Sequence, residues 1–454
     1  MNERDRSTRY RADRLWRGDG WARDAVFGVD ADGGLVDAGG AGGAAESIGS
    51  WVLPGMPNLH SHAFQRAMAG LAERRGKAED SFWSWRETMY GFAAAIGPDA
   101  LQAIAAQLYV EMLKAGYTRV CEFHYLHHQP DGTPYAPPEA MSLALIEAAR
   151  EAGIGLTLLP VLYVSGGFDA RALSARQRRF GHDAERYLRL LETLRAHEDR
   201  DLRVGIALHS LRAVPELALR EVLASEPARS GPIHIHIAEQ IGEVQDCLAL
   251  RGARPVEWLF GHADVDARWC LVHATHLTEA ETVQIARSGA VAGLCPTTEA
   301  NLGDGLFPLA AYLDAGGALG IGSDSHISIS PVEELRWLEY GQRLQTRRRN
   351  IGARHPGDSV GETLWRAALA GGTQASGLPA GDPRADLIVL DETSPLLAAR
   401  DEASMLDSWL FAGNTPLVRD VMRAGQWVVR GFRHRDEERI AARYRTAVQR
   451  LAAR

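Results

Sequence analysis

The sequence predicts a (β/α)8 barrel with a small β-sandwich built from both chain ends. Three observations lead there. A long middle stretch alternates short apolar runs with amphipathic helical patterns, the texture of a parallel sheet wrapped by helices. The flanks instead carry short strand-like pieces broken by glycine-rich turns. Finally, histidine and aspartate recur at the ends of the apolar runs, where a barrel of this kind gathers its reactive groups.

Residues 1–53 form the first flank, with the strand pieces AVFGVD and SWVLP and the glycine-rich segments DADGG (30–34) and GGAGGAA (39–45). The barrel is assigned to 54–375 and the rest of the sandwich, closed by a terminal helix, to 376–454. In that last part ADLIVLD (385–391) and VRDVMRAGQWVVRGF (418–432) repeat the texture of the first flank. The final run, rich in arginine, glutamate and alanine, reads as a helix with a solvated charged face.

Eight candidate strands occupy the middle: 51–59, 118–123, 156–163, 202–208, 232–238, 269–274, 289–295 and 317–323. Helical patterns follow them, for instance LQAIAAQLYVEMLKAG (101–116) and PELALREVLAS (215–225). Eight such units close into a barrel whose reactive groups sit at the C-terminal strand ends.

Composition excludes several classes of function. The 454 residues are 46% hydrophobic and 24% charged, ordinary for a globular chain. Fifty cationic against 58 acidic residues give a net charge of −8 without a long basic run, so no nucleic-acid partner is expected. No stretch approaches 18 consecutive apolar residues, and the polar N-terminus lacks the apolar region of a secretory signal. Cys121, Cys247, Cys270 and Cys295 are widely spaced and form no CxxC pair, which together point to a reduced, cytoplasmic protein.

The first apolar run ends in Asn58-Leu59-His60-Ser61-His62, and the two-residue period of a strand puts both histidines on one face. Alone, this HxH is equally well read as a buried structural pair. The fifth run, however, ends His236-Ile237-Ala238-Glu239, the sixth ends at His273 and the eighth leads into Asp324. Metal-binding or proton-moving residue types at four strand ends are hard to explain as core filling.

These residues resemble the amidohydrolase superfamily of metal-dependent barrels over roughly 50–370. Its pattern is HxH after strand 1, histidine after strands 5 and 6, and aspartate after strand 8. The HxAE string formed by His236 to Glu239 is typical of its deaminase branch. Longer strings are similar to the formimidoylglutamate deiminase family: NLHSHAFQR (58–66), EFHYLHH (122–128), HSLR (209–212) and CPTTEANLGDG (295–305).

The resemblance implies a metal-dependent hydrolase of carbon–nitrogen bonds acting on a small dicarboxylate, N-formimino-L-glutamate. It also implies one divalent metal per chain, expected to be Zn2+, held by His60, His62, His236 and Asp324, although iron and manganese accept the same donors. Two-metal relatives bridge their ions with a lysine or glutamate after strand 4, where this chain has Ala207-Leu208-His209-Ser210. The two lysines, Lys77 and Lys114, lie in the loop after strand 1 and inside a helical pattern. A homodimer is usual for the family.

Catalytic roles fall to Asp324 as acceptor of the attacking water's proton, Glu239 as donor to the departing amine, and His273 as stabiliser of the developing oxyanion. The plain alternatives are a helix-start carboxylate for Glu239 and a hydrogen-bonded core histidine for His273. Substrate contacts are expected from Arg86 in the aromatic loop 82–86, Arg212, Tyr125, His209 and Gln65, because arginine's planar fork suits carboxylates. A surface charge is the plain reading of either arginine. His124, His127 and His128 receive no role and read as solvated loop histidines. The competing functions are a single-metal deaminase of a purine or pyrimidine base, and a barrel that has lost catalysis and serves as a scaffold.

Overall fold

A computed structural model describes residues 8–18, 20–37, 44–74 and 82–453. Lys77 and most of the glycine-rich segment 39–45 lie outside the described residues. The first flank contributes β1 (Thr8–Arg17), β2 (Gly20–Val29), β3 (Leu35–Asp37) and β4 (Glu46–Pro54). The middle supplies β5 (Met56–Ser61), β6 (Tyr117–His124), β7 (Gly155–Leu162), β8 (Leu202–Val204), β9 (Ile206–Ser210), β10 (Ile233–Ile237), β11 (Trp269–His273), β12 (Val291–Leu294) and β13 (Ala318–Ile321). After them come β14 (Leu387–Leu390), β15 (Val418–Arg423), β16 (Gln426–Arg430) and β17 (Arg433–His434).

The middle strands run parallel in the order β5-β6-β7-β9-β10-β11-β12-β13, with β8 beside β7. This is the (β/α)8 barrel expected from the sequence, and every one of the eight predicted runs is present. Two of them are divided. The run 51–59 holds both β4, in the sheet of the chain ends, and β5, in the barrel, and it passes between them at Gly55, where a Cβ would lie 2.1 Å from Thr118 Cγ2. The run 202–208 breaks at Gly205, pressed against Leu159 and Pro232.

Between β13 and β5 the ring is closed sparingly. One parallel bridge pairs Ser61 with Asp324. The His62 amide donates to the Asp324 carbonyl at 3.2 Å, and the Asp324 amide donates to the His60 carbonyl at 3.0 Å. The seam therefore brings the end of the first barrel strand and the end of the last into register.

The two chain ends share one sheet in the order β17-β16-β15-β14-β4-β1-β2-β3, antiparallel except where β1 runs alongside β4. The period of two along β4 divides its side chains: Leu53 joins the large barrel core, while Val52 packs with Phe27 and Val389 in a separate small core. Around the barrel, helix Pro98–Ala115 buries Leu108, Met112 and Leu113 and stops at Gly116, whose φ of 104° suits a residue without a Cβ. Each such side chain contributes roughly 1.5–3 kcal/mol on leaving water. Helix Glu437–Ala452 closes the chain with only Ile440 fully buried, and the Lys114 ammonium reaches its first turn through Glu437 at 2.8 Å. All four cysteines are free and buried. Among the described residues no helix is long and apolar enough to cross a membrane.

Candidate active site

Three imidazoles converge inside the C-terminal mouth of the barrel. His60 Nε2 lies 3.2 Å from His62 Nε2 and 3.0 Å from His236 Nε2. His62 directs Nδ1 at the Phe123 carbonyl, 2.8 Å away, and His236 directs Nδ1 at the His209 carbonyl at 3.0 Å. A ring that donates through Nδ1 presents a lone pair at Nε2, so these backbone carbonyls set the tautomer. Burial pushes the pKa of all three histidines down, keeping them in the neutral form that binds metals. Asp324 Oδ1 completes the group, 3.5 Å from His60 Nε2 and 3.3 Å from His62 Nε2. Lone pairs at such separations repel unless a cation lies among them; His60, His62 and Asp324 form one ligand-like group and His60, His236 and His273 another, overlapping at His60, and imidazoles with a carboxylate fit a divalent ion.

A second group borders the first. His273 Nε2 is 3.9 Å from both Glu239 Oε1 and Asp324 Oδ2, and its Nδ1 is 3.3 Å from Glu299 Oε1. Burial opposes a charge on this ring, but Glu239, Glu299 and Asp324 outweigh it and hold the pKa at about 10. Burial raises the pKa of Glu239 above the ordinary carboxylate value, against the opposing pull of His273 and Arg212. The turn carrying Glu239 is clamped by Glu243, which accepts from the amides of Ala238 at 3.2 Å and Glu239 at 3.0 Å.

Backbone strain gathers at the same strand ends. Ala238, His273, Ala274 and Asp324 have φ of 49°, 68°, 47° and 41°, in the left-handed region that non-glycine residues seldom occupy. Each costs of order 1 kcal/mol, and the surrounding hydrogen bonds sustain it.

A pocket opens above this cluster. Its walls include His62, His236, Glu239, His273 and Asp324 together with Gln65, Arg86, Tyr125, His209 and Arg212. His60 lies fully buried beneath it. Every site residue expected from the sequence is thus brought to one place, on β5, β6, β9, β10, β11, β13 and the segments that follow them. Arg86 departs from the expected loop: it belongs to helix Phe82–Ala93, with its guanidinium 5.4 Å from the Tyr90 ring centre. Gln65 donates to the Tyr125 hydroxyl at 2.9 Å, while its buried Oε1 has no hydrogen-bond partner.

Over residues 51–428 the sequence matches the amidohydrolase family. The chain belongs to that family. Among curated amidohydrolase relatives, the formimidoylglutamate deiminase of Pseudomonas aeruginosa is 56% identical over 439 residues, covering 95% of this chain and 96% of the relative. A 5-methylthioadenosine/S-adenosylhomocysteine deaminase of Haloquadratum walsbyi is 26% identical, covering 78% of this chain and 73% of its own. Among solved structures, an amidohydrolase from Brucella melitensis superposes with a TM-score of 0.92 at 46% identity, over 98% of this chain and 99% of that one. An adenosine deaminase from Xanthomonas campestris shares the fold at a TM-score of 0.80 and 21% identity, with 98% of each chain covered.

This amidohydrolase pocket also contains residues that the sequence reading passed over. Tyr163 ends the third barrel strand run and lies 4.4 Å, ring to ring, from His209; its position at a strand end could have singled it out. Trp85, Met89, Tyr90, Phe180 and Leu302 form the apolar wall, drawn from segments far apart in the chain. The Glu299 contact to His273 spans 26 positions and has no local signature. His124, His127 and His128, expected to be solvated, are buried instead. His127 and His128 pack on His182 and His124 packs on His127, and burial pushes the pKa values of His124 and His182 down to about 3.

Proposed function

We propose that this amidohydrolase hydrolyses the formimino group of N-formimino-L-glutamate, giving N-formyl-L-glutamate and ammonia in histidine degradation. The observation that carries the reading is 56% identity to the Pseudomonas aeruginosa deiminase across 95% of the chain. Two guanidiniums in the pocket, Arg86 and Arg212, support it, because the substrate has two carboxylates.

His60, His62, His236 and Asp324 would hold the metal, and three nitrogens with one oxygen suit zinc. When bound, such an ion lowers the pKa of a coordinated water towards ~7 and so makes a nucleophile available at neutral pH. Asp324, with Oδ2 directed at His273, accepts the proton of the water that attacks the amidine carbon. Glu239, whose pKa burial raises, carries a proton to the nitrogen that departs as ammonia. The charged His273 ring stabilises negative charge developing on the attacking oxygen, and Glu299 keeps that ring charged. Arg86 and Arg212 grip the carboxylates, Gln65 offers its free Oε1 to a substrate N–H, and Tyr125 and His209 complete the polar lining.

The same reading makes the protein a cytoplasmic homodimer, with the barrel at 54–375 and the small domain formed by 1–53 and 376–454. A stripe of exposed apolar side chains on helix Pro331–Thr346, formed by Trp337, Tyr340 and Leu344, suits self-association.

Product analysis tests the reaction. Attack at the formimino carbon with loss of its terminal nitrogen gives equal amounts of ammonia and N-formyl-L-glutamate. Formamide and glutamate as products would show that the other carbon–nitrogen bond breaks, and would contradict the assignment.

A further inference from the structure

Glu122 lies on β6, behind the metal-binding cluster and outside the pocket, with only 2% of its surface exposed. A carboxylate so placed has lost its hydration and must be repaid by donors. Its Oε1 accepts from the Ala63 amide at 2.6 Å, and its Oε2 accepts from the Ser61 hydroxyl at 2.6 Å and the Tyr109 hydroxyl at 3.2 Å. Ser61 stands between His60 and His62, and Ala63 follows His62. Glu122 therefore holds the HxH segment from both sides of its second histidine.

The chain of contacts continues across the barrel seam. Ser61 Oγ lies 3.2 Å from His326 Nε2, and His326 Nδ1 lies 3.0 Å from Ser323 Oγ. Asn58 in turn donates to Ser323 Oγ at 2.7 Å and accepts from the Ser323 amide at 3.1 Å. Asp324 is thus flanked by two residues, Ser323 and His326, that are tied to β5. Only one bridge joins the backbones of β5 and β13 here, so side chains supply the register that a regular ladder would otherwise provide.

We propose that Glu122 is a positioning residue that, through Ser61 and His326, fixes His60 and His62 of the first barrel strand against Asp324 of the last. The inference rests on the reading that these three residues hold a divalent cation. Partners of this outer kind usually matter ten- to a hundredfold in metal affinity.

The test is zinc affinity of the full-length protein, measured by competition with a chromophoric chelator, together with the visible spectrum of the cobalt(II) form. Glu122→Ala is expected to weaken zinc binding ten- to a hundredfold and to change the cobalt spectrum. Glu122→Gln should recover most of the affinity, because its amide can accept from Ala63 and donate to both hydroxyls. Should Glu122→Ala fail to fold, Ser61→Ala removes the hydroxyl that joins Glu122 to His326 while sparing the Glu122 contacts to Ala63 and Tyr109, and is expected to weaken zinc binding severalfold. Wild-type affinity and an unchanged cobalt spectrum in either folded alanine variant would overturn the proposal. Wild-type protein unable to bind zinc would instead overturn the ligand reading on which it rests.

Discussion

Gly322 lies directly against His60: a Cβ at Gly322 would come within 2.8 Å of the Cβ, backbone nitrogen and backbone oxygen of His60. Backbone atoms cannot give way as a flexible side chain can, so Gly322→Ala must part β5 from β13 where His60, His62 and Asp324 meet. We expect loss of at least tenfold in metal affinity and a lower unfolding temperature, measured by metal titration and thermal denaturation. Wild-type affinity in this variant would show that the seam tolerates displacement.

Glu299 supports the charge on His273. Replacing it with glutamine removes one of the carboxylates that raise the His273 pKa, so the protonated ring is lost at lower pH than in wild type. The basic limb of the kcat/KM profile of Glu299→Gln should accordingly move to lower pH. An unmoved limb would mean that His273 acts uncharged.

Arg212→Met should lower kcat/KM for N-formimino-L-glutamate ten- to a hundredfold, the equivalent of about 1.5–3 kcal/mol for a charge-assisted pair. Lysine should recover only part of this, since an ammonium cannot offer two parallel N–H donors. Metal content should stay constant. Near-normal kinetics in both Arg212→Met and Arg86→Met would exclude carboxylate recognition at these positions.

The buried histidine group gives stability a defined pH dependence. His124 and His182 have pKa values near 3 in the fold against 6.5 for a free side chain, so between those values the unfolded chain binds more protons than the native one. Stability should therefore fall as pH is lowered from about 7 to 5, by up to about 1.4 kcal/mol per pH unit for each group. Urea unfolding of His182→Asn across this range should show a shallower decline than wild type. Equal slopes would mean that His182 contributes no linkage.

Much of this arrangement was legible in the sequence because barrel strands are apolar until they end. A histidine or aspartate at the end of such a run, as at His60, His236, His273 and Asp324, stands out against its neighbours. What the sequence conceals is contact between distant segments. Glu122 reads as one polar residue in TRVCEF, and only folding sets it beside Ser61 and Ala63. Two runs are divided at Gly55 and Gly205, where Thr118, Leu159 and Pro232 from elsewhere in the chain leave no room for a Cβ, which no local pattern reveals. Arg86 sits in an aromatic stretch whose spacing is compatible with a loop, yet the chain is helical there. The histidines after β6 look exposed because they are polar, although His127 Nε2 donating to the Val161 carbonyl at 3.0 Å and His128 Nε2 donating to the Gly181 carbonyl at 2.9 Å give each a partner inside.

The most direct test of the central claim is ammonia release by zinc-replete enzyme, with N-formimino-L-glutamate compared against adenine, guanine and cytosine derivatives. Rapid release from N-formimino-L-glutamate, with kcat/KM at least a hundredfold above that for any base, is the expected result. Turnover of a base with none of N-formimino-L-glutamate would contradict the account and assign Arg86 and Arg212 to some purpose other than holding a dicarboxylate.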